Sequence, residues 1–279
     1  MEDEMKPDDP ASLAGKVIVI TGATQGLGEA IARLAASRGA AGVAVVGRDT
    51  ARGASAVAAL QELGTEALFV GVELSEPDVG ERVISAVDER FGVVHGLVNA
   101  AADTGRAGVW DTTTELFDRM MAVNVRAPLL LLQSAARVMK REGVPGSVVN
   151  IGSMTGYGGQ VYLFPYAISK GALHTLTRNA AYSLMWDHIR VNLVNLGWMD
   201  TPNEDVVQRE VHGGGDDWLA RAEAKQPFGR LINPAEVART VCFLLSDESG
   251  MMTGGSLDFD QSVKGAGDSP KPRQDEVWP

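Results

Sequence analysis

The feature that most constrains this chain is a repeated alternation of two kinds of segment. Short apolar, β-branched runs lie at Lys16–Ile20, Gly42–Val46, Ala67–Val72, Gly96–Asn99, Ser147–Ile151, Arg190–Leu196 and Ser256–Phe259. Between them are Ala- and Leu-rich stretches of helical period at 27–38, 50–63, 77–91, 115–141, 166–186, 216–224 and 234–246. Runs that are apolar at nearly every position suit strands buried on both faces. Strand–helix alternation of this length joins parallel neighbours by helical crossovers. The predicted fold class is therefore α/β: a doubly wound parallel sheet of seven strands with helices on both faces. No linker or internal repeat divides the chain, so a single domain over 13–264 is expected. The acidic segment 1–12 and the Gly/Pro-rich segment 265–279 read as flexible tails.

Charge narrows the possible partners. The 25 basic and 36 acidic residues give a formal charge of −11. This argues against nucleic acid, which needs clustered Lys and Arg, and against anionic membranes. The N-terminus lacks the basic and apolar regions of a secretory signal, and no apolar run is long enough to span a bilayer. A cytoplasmic location is the expectation. Cys242 is the one cysteine, and its apolar flanks read as core rather than as a reactive thiol. His95, His174, His188 and His212 are scattered without metal-ligand spacing, so no metal is expected.

The first strand runs into Thr21-Gly22-Ala23-Thr24-Gln25-Gly26-Leu27-Gly28, which opens the first helix. Glycines here permit a tight turn and a close approach of backbone to a pyrophosphate, and the helix N-terminus presents free N–H groups to it. The same spacing also suits a tight strand-to-helix turn with no ligand. The Thr-Gly-x3-Gly-x-Gly pattern resembles the signature of the short-chain dehydrogenase/reductases, a Rossmann-like family. That resemblance implies a nicotinamide dinucleotide held by Gly22, Thr24, Gln25, Gly26, Leu27 and Gly28.

The end of the second strand faces the adenosine ribose in such folds. An acidic residue there accepts the 2′-hydroxyl, whereas an Arg pairs with a 2′-phosphate. In this chain Gly47 stands at the position that is acidic in NAD-preferring relatives, followed by Arg48 and, one helical turn on, Arg52. NADP(H) is therefore favoured over NAD(H), while Gln25, where many NADP enzymes carry a cation, and Asp49, within reach of a ribose, point the other way. The resemblance further places Glu73 and Leu74 beside the adenine. Asn99, Ala100 and Ala101 follow the fourth strand, Ile151 lies on the fifth, and Gly197, Met199 and Thr201 follow the sixth.

Tyr166-Ala167-Ile168-Ser169-Lys170 puts a phenol and an ammonium on one helix face. A nearby cation favours the phenolate, which would tune the pair toward general acid/base work at neutral pH. Ser153 precedes Tyr166 at the separation usual in the family, where it orients the substrate oxygen. Asn124 sits mid-helix, a poor place for Asn. In the family it kinks the helix and holds a water that relays protons to the lysine, here Lys170. The resemblance thus implies a secondary alcohol/ketone oxidoreductase with Asn124, Ser153, Tyr166 and Lys170 as the catalytic set, and Tyr166 and Lys170 also against the cofactor. It implies a homotetramer or homodimer built on the helices at 115–141 and 166–186.

Three departures stand out. Asn99-Ala100-Ala101-Ala102 replaces Asn-Asn-Ala-Gly, which would strain Ala102 if that position needs positive φ. Leu196-Gly197 replaces Pro-Gly. Asp258-Phe259-Asp260 replaces Asp-Gly-Gly. Residues 203–230 read as a substrate-binding lid with Gly213-Gly214-Gly215 as either a hinge or a plain loop. Trp198, Trp218, Tyr162 and Phe164 suit apolar walls, whereas Gln160, Asn203, Glu204 and His212 suit hydroxyl binding. A sugar or polyol and a cyclic or aromatic ketone both remain open. The rival readings are a redox-sensing scaffold without turnover and an epimerase or dehydratase using the same cofactor.

Overall fold

The computed structural model describes residues 9–264. Seven strands run in parallel: β1 (Val17–Thr21), β2 (Gly42–Gly47), β3 (Glu66–Gly71), β4 (Gly96–Asn99), β5 (Gly146–Ser153), β6 (Ile189–Leu196) and β7 (Ser256–Phe259). Their spatial order is β3-β2-β1-β4-β5-β6-β7. All six pairings are parallel. The order reverses between β1 and β4, and a crevice outside the carboxyl ends of strands forms at such a switch point.

The helices are α1 (Gly26–Ser37), α2 (Thr50–Glu62), α3 (Val79–Phe91), α4 (Thr114–Met121), α5 (Ala127–Glu142), α6 (Phe164–Leu184), α7 (Pro202–Val206), α8 (Trp218–Glu223) and α9 (Pro234–Leu245). Successive β1 side chains show how the sheet is sandwiched. Ile18 and Ile20 belong to the core shared with α1 and α9, and Val17 and Val19 to the core shared with α3 and α5. Period-two alternation on a sheet covered on both sides therefore leaves no polar face. Each buried aliphatic side chain contributes about 1.5–3 kcal/mol. Cys242 lies in the first core, where burial pushes its thiol up to about 12, so it is a packing residue.

The structure corrects the sequence reading in four places. The helix expected over 115–141 is α4 and α5 joined by one π-helical turn, Ala122–Arg126, with Asn124 at its centre. Strand β5 continues to Ser153, so that residue is the strand's last rather than a loop position. Helix α7 and the π-helical turn Val207–Val211 after it were not expected; Thr201 caps α7 through Glu204 N–H and Pro202 occupies its first turn. The N-terminal tail does not extend to residue 12, because Ser12 is buried and the Pro10 carbonyl accepts Glu248 N–H at 2.9 Å. The rest of that expected tail, residues 1–8, and the whole of 265–279 lie outside the described residues.

Candidate active site

The crevice is built from the ends of β1 and β4. Thr21 Oγ1 donates to Val98 O at 3.4 Å and accepts the N–H groups of Ala100 (3.0 Å) and Ala101 (3.1 Å). This hydroxyl, which sequence reading passed over, fixes the turn after β4. Below it Asn99 Nδ2 donates to Asn150 Oδ1 (2.8 Å), and Asn150 Nδ2 donates to Thr177 Oγ1 (2.9 Å), tying β4, β5 and α6 together in the core. Ala102 is unstrained: His188 is the only non-glycine with positive φ among the described residues. The Asn-Ala-Ala-Ala turn therefore does not need the family's glycine.

At the phosphate loop, Gly22 has φ +70°, and a Cβ there would sit 3.0 Å from Ala101 Cα. A Cβ on Gly28 would overlap the Gly22 carbonyl oxygen and lie 2.9 Å from Ala23 Cα. Gly26, at φ +56°, faces Thr201, which comes from the far side of the crevice. Helix α1 begins at Gly26 with no side-chain cap from Gln25. Its first N–H groups thus lack the usual partner and point out of the helix end, a cradle that fits a dinucleotide's pyrophosphate. Thr24 and Gln25 line this loop, while the Leu27 side chain is buried in the core.

Beyond β2, Gly47 packs against Thr24. Asp49 caps α2 by accepting Arg52 N–H at 3.0 Å and pairs with the Arg52 guanidinium at 3.5 Å. Arg52 also donates to Gln25 Oε1. The Arg48 side chain is 77% exposed and pairs with Glu73 at 3.4 Å. Leu74 is buried in the core beside α3.

On the other side of the crevice stand Tyr166, Lys170 and Ser153. Lys170 is buried; its Nζ donates to Ile151 O at 2.7 Å and lies 5.6 Å from the Tyr166 ring centroid. Ile151 itself is a core residue whose link to the site is this carbonyl. Ser153 Oγ accepts Thr155 N–H (3.2 Å) and Thr155 Oγ1–H (2.8 Å). With both lone pairs engaged, its own O–H is left to donate. Burial pushes Lys170 down to about 8. It pushes the Tyr166 phenol up to about 12, opposed by a hydrogen bond from Ser153 and reinforced by the negative charge of Glu204. The sequence reading expected Lys170 to lower the phenol; in the protein by itself desolvation dominates.

Asn124 is buried and fully engaged. Its Oδ1 accepts Asp103 N–H (2.8 Å), and its Nδ2 donates to Asp103 O (2.9 Å) and Ser169 Oγ (3.0 Å). The side chain anchors the loop after β4 to α6, and Asp103 in turn holds Arg119 at 2.7 Å. Asp103 is a site residue that sequence reading missed. Nothing short of a contact map pairs it with position 124.

Past β6, a Cβ on Gly197 would overlap the Asp260 carboxylate, so the glycine serves packing against the segment after β7. Met199 and Ile232 form an isolated parallel bridge that roots the segment before α7. In the segment 203–230, Trp218 is buried and lies 6.3 Å from Trp198, ring to ring, whereas Tyr162 and Phe164, outside it, are exposed. Gly214 N–H donates to Gln208 O at 2.8 Å, and a Cβ there would press on Trp218, so the triple-glycine tract is a packed turn. Among the described residues no cluster of three metal-ligating side chains exists, and no helix is long and apolar enough to cross a membrane.

The family model described as enoyl-(acyl carrier protein) reductase matches residues 22–263. Cis-4-hydroxycyclohexanecarboxylate dehydrogenase of Sinomonas cyclohexanicum is 36% identical over 251 residues, covering 89% of this chain and 96% of that protein. The structure of L-sorbose reductase from Gluconobacter frateurii, complexed with NADPH and L-sorbose, superimposes with a TM-score of 0.86 at 27% identity, covering 91% and 98% of the two chains. An NAD+-bound xylitol dehydrogenase gives a TM-score of 0.81 at 28% identity, covering 90% and 99%. The chain belongs to the short-chain dehydrogenase/reductase family. It is an NAD(P)-dependent oxidoreductase acting on CH–OH groups, interconverting alcohol and ketone.

Proposed function

We propose that the enzyme oxidises or reduces a small secondary alcohol/ketone pair with NADP(H) in preference to NAD(H), using Tyr166 as general acid/base. The observation that carries this reading is the convergence of Tyr166, Lys170 and the donating Ser153 hydroxyl on the crevice beside the uncapped N-terminus of α1. When bound, the nicotinamide supplies the hydride acceptor or donor. The remaining chemistry belongs to the chain. Ser153 donates to the substrate oxygen and holds it toward Tyr166. Tyr166 takes the hydroxyl proton in oxidation and returns it in reduction. Lys170 spends one donor on Ile151 O and has others for the cofactor ribose and the phenol. Asn124 positions the loop after β4 against α6, so any proton relay at this residue uses its main chain, which the π-helical turn loosens.

Cofactor preference rests on the groove after β2. Asp49 is committed to capping α2, which makes it a poor ribose acceptor, and Gly47 offers no carboxylate. Arg48, paired with Glu73, and Arg52, paired with Asp49 and Gln25, flank the same opening on exposed side chains, where a 2′-phosphate would compete with those partners for them. Titrating NADPH and NADH into wild type and Arg48→Ala tests this. NADPH should bind tighter, and the variant should lose about 10- to 100-fold for NADPH while NADH is unchanged. Equal affinities in wild type would overturn the preference for NADP(H), and tighter NADH binding would reverse it.

The described residues act as one catalytic domain, with 203–230 as the substrate lid. Exposed Tyr182 and Trp186 lie at the end of α6 and just after it, and Leu129 on α5 and Ile168 on α6 are also exposed. These apolar groups support assembly of copies through α5 and α6 as a homodimer or homotetramer, which sedimentation would resolve.

A further inference from the structure

The strand that delivers Ser153 to the crevice passes directly into a 3₁₀ turn, Met154–Tyr157. Thr155, in this turn, is buried and places both of its donors on one atom. Its N–H (3.2 Å) and its Oγ1–H (2.8 Å) both reach Ser153 Oγ. The Thr155 hydroxyl has no other hydrogen-bond partner among the described residues. The turn is fixed on its other sides. At Gly156 it lies on the backbone of α6, where a Cβ would sit 3.0 Å from the Lys170 carbonyl carbon and 3.2 Å from Gly171 N. At Tyr157 it is tied to the sheet. The phenol donates to Asp258 Oδ1 of β7 at 2.8 Å and accepts Asn195 Nδ2 of β6 at 3.1 Å. The Tyr157 ring also meets His174 of α6 edge-on, with centroids 4.9 Å apart. Gly158 N–H closes the turn on Thr155 O at 2.8 Å. A shift of Thr155 away from Ser153 would have to disturb these contacts with α6, β6 and β7.

We propose that Thr155 is a positioning residue for the alcohol–ketone reaction: its hydroxyl and its N–H occupy the oxygen of Ser153, so that Ser153 meets the substrate oxygen only as a donor. A free serine hydroxyl rotates and can donate or accept. As an acceptor it would take a hydrogen bond from Tyr166 or from a substrate alcohol, and the substrate oxygen would lose a donor. With both lone pairs filled, one role remains. A hydroxyl that accepts hydrogen bonds is also polarised into a stronger donor. That gain is largest where negative charge gathers on the substrate oxygen, so it belongs to the transition state more than to the bound ground state. The inference rests on the reading in which Ser153 donates to the substrate oxygen, and deepens it by naming the residue that sets the direction of that bond.

The test compares Thr155→Val and Thr155→Ser with wild type in the full-length enzyme with its preferred cofactor. Cyclohexanone reduction and cyclohexanol oxidation are the probe reactions. Val keeps the branched shape and the N–H and removes the hydroxyl, whereas Ser keeps the hydroxyl and removes the methyl group. Thr155→Val should lower kcat about 3- to 10-fold with KM nearly unchanged, and Thr155→Ser should stay within about 2-fold of wild type. In a Ser153→Ala background Thr155→Val should cost nothing further, because the atom it acts through is gone. Single-turnover measurement with enzyme in excess reads that slow variant. Thermal unfolding and cofactor titration establish that each variant is folded. Equal losses in the Val and Ser variants would assign the effect to packing of the methyl group and overturn the inference. So would an unchanged kcat in Thr155→Val, a loss that appears in KM alone, or the same loss with and without Ser153. Wild-type kcat in Ser153→Ala would instead refute the role of Ser153 itself. Turnover of no ketone or alcohol by wild type, with the panel broadened and both cofactors tried, would refute the alcohol–ketone reading. Either result takes the positioning role of Thr155 with it.

Discussion

Tyr166→Phe is expected to lower kcat between about 10²- and 10⁴-fold, the range that a positioned general acid/base contributes, and to leave cofactor affinity nearly unchanged. The phenol ring packs as before and only the proton-carrying oxygen is lost. Retention of wild-type kcat would remove Tyr166 from the mechanism. The same residue sets the pH dependence. Alcohol oxidation needs the phenolate, and burial has raised the phenol to about 12, so oxidation should climb with pH through the alkaline range. Glu204 adds to that rise, because a neighbouring negative charge disfavours the phenolate. Glu204→Gln should therefore move the rising limb of oxidation to lower pH, which a kcat/KM profile for cyclohexanol would read. A shift to higher pH, or none, would place Glu204 outside the range of the phenol.

The second large effect is expected at the phosphate loop. Gly28→Ala puts a methyl group onto the Gly22 carbonyl oxygen and close to Ala23 Cα, both backbone atoms that cannot rotate away. The loop or the first turn of α1 must move. Overpacking of this kind costs about 1–3 kcal/mol. If it falls on the cradle, nicotinamide dinucleotide affinity drops about 5- to 150-fold. Calorimetric titration together with thermal unfolding separates that loss from a general loss of stability. Unchanged affinity and an unchanged Tm would mean that the loop tolerates a side chain and that close packing there is not required.

The sheet was legible because its strands are covered on both faces, so Val17–Ile20 and Val43–Val46 read as unbroken apolar runs. Helix α7 escaped that reading because five residues carry no amphipathic repeat. Its cap, Thr201 before Pro202 with Glu204 and Asp205 in the first turn, is a start signal that a search for caps rather than periodicity would have found. Asn124 stood out as a misfit inside a helix, and it does mark the π-helical turn. Its partners did not stand out. Asp103 and Ser169 are 21 and 45 residues away, and only the packing of α6 against the loop after β4 brings them to it.

The sequence by itself determined the α/β class, the order of its elements and the family, because periodicity, turn glycines and the spacing of Tyr166 and Lys170 are properties of neighbours along the chain. The tertiary structure decided which groups remain available for chemistry. It committed Asp49 to a helix cap, occupied the amide of Asn124, and engaged both lone pairs of the Ser153 hydroxyl so that its proton is left to donate. It also reversed the expected direction of the Tyr166 shift. Desolvation depends on everything packed around a group, and four residues of spacing to a lysine carry no information about that.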